Sequence, residues 1–411
     1  MRLSQLQSIA EAQRDALDAR PSGLQREVLK SLPDIRTHAL VVSGIRRSGK
    51  STLLQQFVLR QDRPFFHLNF DDIRLASFDE ADYGLLDSAI KDSGSDLLFF
   101  DEIQNAPAWE RYVRQKLDEG LQVLLTGSNA SLLSRELGSV LTGRHLQREL
   151  FPFSFSEFLR FTQRQAGMDA LETYLRTGGF PEYLQNGIPE TVEQLQQDIL
   201  ARDIAVRFNI RDDRSLRRLY LWLLSNAGNL VSPSKLTGVV GSRSPTTVLE
   251  YLSHLESAWM LHTVPRFAWS AKAQALAPKK IYAEDLSFIE LSSLSSSGDI
   301  GRRLENMVFL ELRRRTDRIF YFSQNDRECD FVVNPSRADA LCVQVCWDLN
   351  SDTQDREFAG LREAMDFFST DSGYIVTANQ EDRAVLDGRT VSILPAWQID
   401  RLLALVSSQR I

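Results

Sequence analysis

Residues 44 to 51 read Gly44-Ile45-Arg46-Arg47-Ser48-Gly49-Lys50-Ser51, a complete G-x-x-x-x-G-K-[ST] loop. The apolar run Ala39-Leu40-Val41-Val42 precedes it, and the helical pattern Thr52-Leu53-Leu54-Gln55-Gln56-Phe57-Val58 follows. Strand, glycine-bracketed loop and helix in that order predict a binding site for a nucleoside triphosphate. Glycines at both ends let the backbone curl until consecutive N–H groups face a β-phosphate, and the positive end of the next helix adds to the attraction. Gly44, Arg46, Arg47, Ser48, Gly49, Lys50, Ser51 and Thr52 then line the phosphates, with Lys50 reaching the β- and γ-phosphates and Ser51 ligating Mg²⁺. The plainer alternative is a glycine turn in front of an ordinary helix.

Further along, Leu97-Leu98-Phe99-Phe100-Asp101-Glu102 sets four apolar residues of a buried strand before two carboxylates. Open parallel sheets gather ligands at that carboxyl end. The pair has the form of a Walker B element, in which Asp101 holds Mg²⁺ and Glu102, one step further out, acts as the general base on the attacking water. The next strand ends Leu124-Leu125-Thr126-Gly127-Ser128-Asn129, which puts small polar side chains beside the acids if the two strands are neighbours. Asn129 either orients the water from there or caps the helix that follows. Gly143-Arg144 comes next, and Arg144 is either an arginine finger that crosses a subunit interface or a surface arginine paired with Glu149 or Glu157. The catalytic set read from the sequence is therefore Lys50, Glu102, Asn129 and Arg144, with Ser51 and Asp101 as metal ligands.

At 411 residues the chain has room for two or three domains and needs no disulfides or metals to complete its cores. A net charge of −7 excludes a protein coated in positive charge, so any nucleic-acid contact must come from a local patch. Lysine occurs eight times and never after Lys280, leaving arginine to carry most of the positive charge. The three cysteines, Cys329, Cys342 and Cys346, lack paired metal spacing and fit a reducing compartment. The histidines are scattered without a zinc-binding pattern. The start of the sequence has no apolar signal core and no stretch is long enough for a membrane span, so the reading is a cytoplasmic protein without a membrane partner.

Short apolar runs alternate with helical patterns at Ala39 to Val42, Pro64 to Phe70, Asp96 to Phe100, Gln122 to Thr126 and His145 to Leu150. That alternation predicts an α/β class with a parallel sheet covered by helices on both faces. The expected divisions are an N-terminal helical extension over 1–36, an ATPase core over 37–160, a helical lid or connector over 161–218, a winged helix over 219–270 and a further α/β domain over 271–411. The winged-helix expectation rests on three helical patterns split by tight turns and closed by a hairpin-like strand. Its second helix, Pro245 to Ser257, carries Val248, Tyr251, Leu252 and Leu255 on one stripe.

With these residues in view, the chain resembles the prokaryotic AAA+-type ATPases whose N-terminal ATPase is joined to a C-terminal domain related to the PD-(D/E)xK nucleases. The phosphate loop carries the likeness, as do Asp101-Glu102-Ile103-Gln104 with Trp109, Thr126-Gly127-Ser128, Gly143-Arg144 and Phe151-Pro152-Phe153-Ser154-Phe155-Ser156-Glu157-Phe158. Gly178-Gly179-Phe180-Pro181-Glu182-Tyr183-Leu184, Leu304-Glu305-Asn306 and Glu328-Cys329-Asp330-Phe331-Val332-Val333 extend it to about residue 350. The resemblance implies ATP, Mg²⁺, an intervening winged helix and a homo-oligomer, with a hexameric ring as one form of it.

A working site of that nuclease type needs a helix carboxylate, a strand Asp and a (D/E)-x-K on the next strand. Glu305 and Asp330 fill the first two places, but the third reads Gln344-Val345-Cys346, and no lysine follows Lys280 to replace the missing one. The expectation is a nuclease-shaped binding module without hydrolysis. Arg207, Arg211, Arg214, Arg217 and Arg218, and then Arg302, Arg303, Arg313, Arg314 and Arg315, form two arginine-rich stretches. They are either contacts to DNA or solvated faces balanced by Asp212, Asp213 and Asp317. The sequence thus predicts an oligomeric ATPase acting on DNA, with an ATP-controlled signalling switch on protein partners as the alternative.

Overall fold

A computed structural model of the chain describes residues 1–128, 141, 143–241, 244–292, 300–335 and 340–408. The chain divides into two compact units, the first spanning Met1–Phe151 with Ser257–Trp259 and the second spanning Pro152–Glu256 with the chain from Met260 onward. Among the described residues no helix is long and apolar enough to cross a membrane.

The first unit is built on β1 (Ala39–Ser43), β2 (Phe65–Asn69), β3 (Leu97–Asp101), β4 (Gln122–Gly127) and β5 (His145–Glu149), all parallel, in the order β2-β3-β4-β1-β5. Each of the five apolar runs in the sequence is one of these strands. Alternate residues feed two separate cores. Val41, Leu68, Phe100 and Leu125 face α1 (Leu3–Asp18), α3 (Tyr83–Ser93) and α4 (Trp109–Asp118). Val42, Phe65, Phe99 and Leu124 face α2 (Lys50–Leu59) together with Leu17, Leu29 and Leu32. Burial on both faces explains why β1 to β4 read as near-continuous apolar runs, while the edge strand β5 is half-buried and polar. The N-terminal segment belongs to both layers, since Leu6, Ile9 and Ala10 enter one core and Leu17 the other.

The second unit opens with helices α5 (Phe155–Thr162), α6 (Met168–Thr177), α7 (Pro181–Asn186) and α8 (Glu190–Asp198). The double glycine before α7 is imposed by packing. A Cβ on Gly178 would lie 1.8 Å from the Asp285 carboxylate and one on Gly179 would lie 2.3 Å from the Phe153 carbonyl oxygen, while the Gly179 N–H donates to Asp285 at 2.8 Å. Next come α9 (Asp213–Ser225), β6 (Leu230–Val231), α10 (Pro233–Val240), α11 (Pro245–Ser257), β7 (Leu261–Pro265), α12 (Ala271–Leu276) and β8 (Lys279–Ala283). Here β8 lies between β6 and β7 and is antiparallel to both.

After α13 (Leu286–Ser292) and α14 (Ile300–Arg313), a six-stranded sheet follows in the order β13-β14-β12-β11-β10-β9. Its strands are β9 (Ile319–Gln324), β10 (Arg327–Val333), β11 (Leu341–Val345), β12 (Ser372–Thr377), β13 (Asp382–Leu386) and β14 (Arg389–Pro395), with α15 (Gln354–Phe368) between β11 and β12 and α16 (Asp400–Ser408) at the end. The segment β9-β10-β11 is an antiparallel meander, and β12 returns parallel to β11. Leu361, Ala364, Met365 and Phe368 of α15 bury against Phe322, Val332, Cys342 and Ile375. All three cysteines are buried and free.

Candidate functional site: a phosphate loop facing an acid pair

At the end of β1 the chain turns sharply through Gly44. A Cβ there would sit 2.2 Å from the Leu150 carbonyl oxygen, so only glycine fits. Arg47 (φ 63°) and Gly49 (φ 96°) take left-handed conformations that curl the loop before α2 begins at Lys50. The ammonium of Lys50 donates to the loop's own carbonyls, Gly44 O at 3.1 Å and Ile45 O at 3.0 Å. Arg26 braces the loop from the N-terminal segment. Its side chain, 4% exposed, donates to Ser48 O at 2.8 Å and to Phe151 O at 2.7 Å.

Asp101 ends β3, and β4 stands between it and β1. Thr126, on β4, spans that gap. Its hydroxyl donates to Asp101 Oδ1 and accepts the Glu102 N–H at 3.0 Å. Asp101, 4% exposed, is also hydrogen-bonded to the Ser51 side chain. Burial, and then the neighbouring Glu102, raise its pKa, while Ser51, Thr126 and Lys50 oppose the rise. Glu102 holds a left-handed backbone (φ 49°), uncommon for a residue with a side chain and of the kind that clusters at functional sites. Its Oε2 accepts from Ser128 Oγ at 3.1 Å and from Gln104 Nε2.

The loop, Ser51, Asp101, Glu102, Thr126 and Ser128 are thus brought to one end of the sheet. Ser51 and Asp101 are hard oxygen donors already in contact, and Mg²⁺ takes such donors. Asn129 lies outside the described residues. Arg144 lies at the other end of β1, where its carbonyl accepts the Ala39 N–H at 3.0 Å. Its guanidinium pairs with Asp118 and with Thr37 O. The surface partner is therefore Asp118, where the sequence reading named Glu149 or Glu157. Arg26 and Gln104 were not read as positioning residues; Gln104 stands in the Asp101-Glu102-Ile103-Gln104 motif, whereas nothing near Arg26 signals its contact.

The second unit holds another cluster, and here the sequence expectation about lysine needs correcting. Lys280, on β8 and 3% exposed at its side chain, lies 2.7 Å from Asp330 Oδ1, 3.0 Å from Glu305 Oε1 and 2.9 Å from Glu328 Oε1. The sequence reading looks for a lysine beyond Lys280, whereas Lys280 itself reaches the acids. Burial opposes the ammonium charge, but Asp330, Glu305, Tyr282 and Glu328 outweigh it and hold Lys280 well above the ordinary lysine range. Asn306 of α14 fixes the approach with two bonds to Ala283, accepting its N–H at 2.8 Å and donating to its carbonyl at 3.0 Å. A register shift between Cys329 and Val332 turns β10 where Asp330 sits.

Residues 36–159 match the family model described as an AAA domain, and residues 168–296 match a domain of unknown function, DUF8612. The uncharacterized protein MJ1544 of Methanocaldococcus jannaschii is 30% identical over 390 residues, covering 87% of each chain. An uncharacterized protein of Haemophilus influenzae is 29% identical over 378 residues, covering 87% of this chain and 93% of that one. Among solved structures, the Walker-type ATPase PABY2304 of Pyrococcus abyssi aligns at 17% identity with a TM-score of 0.45, over 67% of this chain and 99% of that one.

Proposed function

This chain belongs to the family of the uncharacterized protein MJ1544 of Methanocaldococcus jannaschii, and from that membership and its AAA domain we propose that it is a Mg²⁺-dependent ATPase. The observation that carries the reading is the bridge by which Thr126 ties Asp101 and Glu102 together while Ser51 bonds the same carboxylate. Amides of the loop and of the α2 N-terminus receive the phosphates. Lys50 exchanges the carbonyls of Gly44 and Ile45 for phosphate oxygens. Ser51 and Asp101 would hold Mg²⁺, which would supply charge neutralisation to the phosphates. Glu102, with its outward position fixed by Ser128 and Gln104, accepts the proton of the attacking water. Asp101 is too enclosed by hydrogen bonds for that task. Lys50→Ala should abolish turnover; hydrolysis at the wild-type rate in that variant would end this reading.

Arg144 lies at the far end of β1 from its own loop, so its catalytic use is in trans, within a homo-oligomer. Mixing Lys50→Ala subunits with Arg144→Ala subunits should partly restore turnover, and no recovery at any ratio counts against a finger in trans. DNA is the partner assigned to the second unit. The order helix, short strand, two helices and a two-stranded hairpin supports a winged helix, and α14 with the β9-β10-β11 meander, α15 and β12 supports a nuclease-like fold. Arg211, Arg214, Arg217 and Arg218 are exposed and available for backbone phosphates. The other arginine stretch is used internally, with Arg302 on Ser225 O, Arg303 on Glu290 and Arg314 on Pro152 O. The exposed positions of α11 include Leu249, Glu250 and Ser253, and the helix carries no arginine or lysine, so phosphate contact falls to the arginines of 211–218. Duplex affinity should fall steeply with salt. Absence of any salt-sensitive binding would leave the protein-directed switch.

A further inference from the structure

The resemblance to metal-dependent nucleases implies a divalent cation among Glu305, Asp330 and the residue at 344, but the donor set does not fit one. The inward oxygens are already committed. Asp330 gives Oδ1 to Lys280 at 2.7 Å and Oδ2 to the Val345 N–H at 2.9 Å. Glu305 Oε1 accepts both Lys280 Nζ at 3.0 Å and the Tyr282 hydroxyl at 2.7 Å. Gln344 points its amide oxygen at the Asp330 N–H, 3.2 Å away, and its amide nitrogen at Glu357. The carboxylates of Glu305, Glu328 and Asp330 converge instead on one ammonium, at the place where their negative charge is highest.

We propose that Lys280 is the resident cation of this cluster, occupying the place of a divalent metal and closing the second unit to metal-dependent phosphodiester hydrolysis. Two cations cannot share the centre of one small donor set without strong mutual repulsion. Lys280 is covalently tethered on β8, so its local concentration does not depend on solution conditions, and it joins the sheet of β6, β8 and β7 to α14 and β10. Removing the ammonium leaves three converging carboxylates without their cation, which is the donor chemistry hard divalent ions take. The inference stands apart from ATP hydrolysis in the first unit and fails or holds separately from it.

The test is Mn²⁺ binding to the nucleotide-free full chain, followed by the electron paramagnetic resonance signal of free Mn²⁺. Four proteins are compared: wild type, Asp330→Asn, Lys280→Ala, and Lys280→Ala with Asp330→Asn. Mn²⁺ held near Asp101 is common to all four and cancels. Wild type and Asp330→Asn should bind the same number of ions with the same affinity. Lys280→Ala should gain one ion, and the double variant should lose it again. Lys280→Met, which keeps the stem, repeats the comparison where the alanine variant is poorly folded. An Asp330-dependent ion in the wild type overturns the proposal, as does a folded Lys280→Ala or Lys280→Met that gains none.

Discussion

Replacing Thr126 by valine keeps the shape of the side chain and deletes one hydroxyl. That hydroxyl donates to the buried Asp101 carboxylate and accepts the Glu102 N–H at 3.0 Å. A hydrogen bond to a charged group contributes about 1.5–3 kcal/mol, and an N–H left unsatisfied in the interior costs about 1–3 kcal/mol. Because both losses fall on one atom they overlap, and a net destabilisation of about 3 kcal/mol is expected. Turnover should fall about 100-fold, equivalent to about 2.7 kcal/mol, as the backbone anchor of Glu102 is released while Ser128 and Gln104 still hold its carboxylate. Thr126 also favours the charged form of Asp101, so the valine variant should move the acid limb of the pH–rate profile to higher pH. Denaturant unfolding and steady-state ATP turnover measure these effects, with Thr126→Ser as the control that keeps the hydroxyl. Unfolding within about 0.5 kcal/mol of wild type, the range of an ordinary surface substitution, together with unchanged turnover would refute the bridge.

Arg26→Ala removes two charge-assisted bonds to the carbonyls of Ser48 and Phe151, and should weaken ATP binding about tenfold, near 1.4 kcal/mol; a fluorescent ATP analogue measures it, and unchanged affinity would take Arg26 out of the loop's support. His67 is enclosed, with no hydrogen-bond partner on either ring nitrogen, and burial followed by Arg20 and Arg14 lowers its pKa to about 4. Below pH 6.5 the unfolded chain takes up the proton first, so stability is full above that pH and falls down to about pH 4. Between pH 7 and pH 5 this group should cost wild type about 2 kcal/mol that His67→Phe does not lose, and equal slopes would contradict the assignment. Lys280→Ala leaves buried carboxylates without their partner and should destabilise the second unit by about 3–5 kcal/mol, with much of the loss recovered when Asp330→Asn and Glu305→Gln are added. Unfolding at the wild-type midpoint would show that the cluster carries no such strain.

The first unit was legible because its chemistry is local. Four buried strands write four apolar runs, only the half-buried edge strand β5 being polar, and the phosphate loop and acid pair each fit within eight consecutive residues. Thr126 was half legible, since the strand's small polar end was plain but β4 as the strand between β1 and β3 was not. Arg26 was illegible because its two acceptors lie 22 and 125 residues away. The same holds for Lys280, whose partners Glu305 and Asp330 are 25 and 50 residues downstream. Strand β8 escaped notice because Lys279 and Lys280 interrupt its apolar pattern, and β13 begins Asp382-Arg383 and is largely exposed. The second arginine stretch read as DNA contacts or a solvated face, yet Arg314 is half-buried and held by the carbonyls of Pro152 and Phe153 and by Glu311, a distinction that composition does not carry.

The central claim is that one triphosphate sits between the loop at 44–51 and the acids at 101 and 102. Glu102→Gln separates binding from chemistry most directly, because the amide keeps the shape of the carboxylate and removes its basicity. A fluorescent ATP analogue should bind this variant as tightly as wild type, while single-turnover hydrolysis falls at least 100-fold, about 2.7 kcal/mol. Hydrolysis at the wild-type rate would place the base elsewhere and contradict the account.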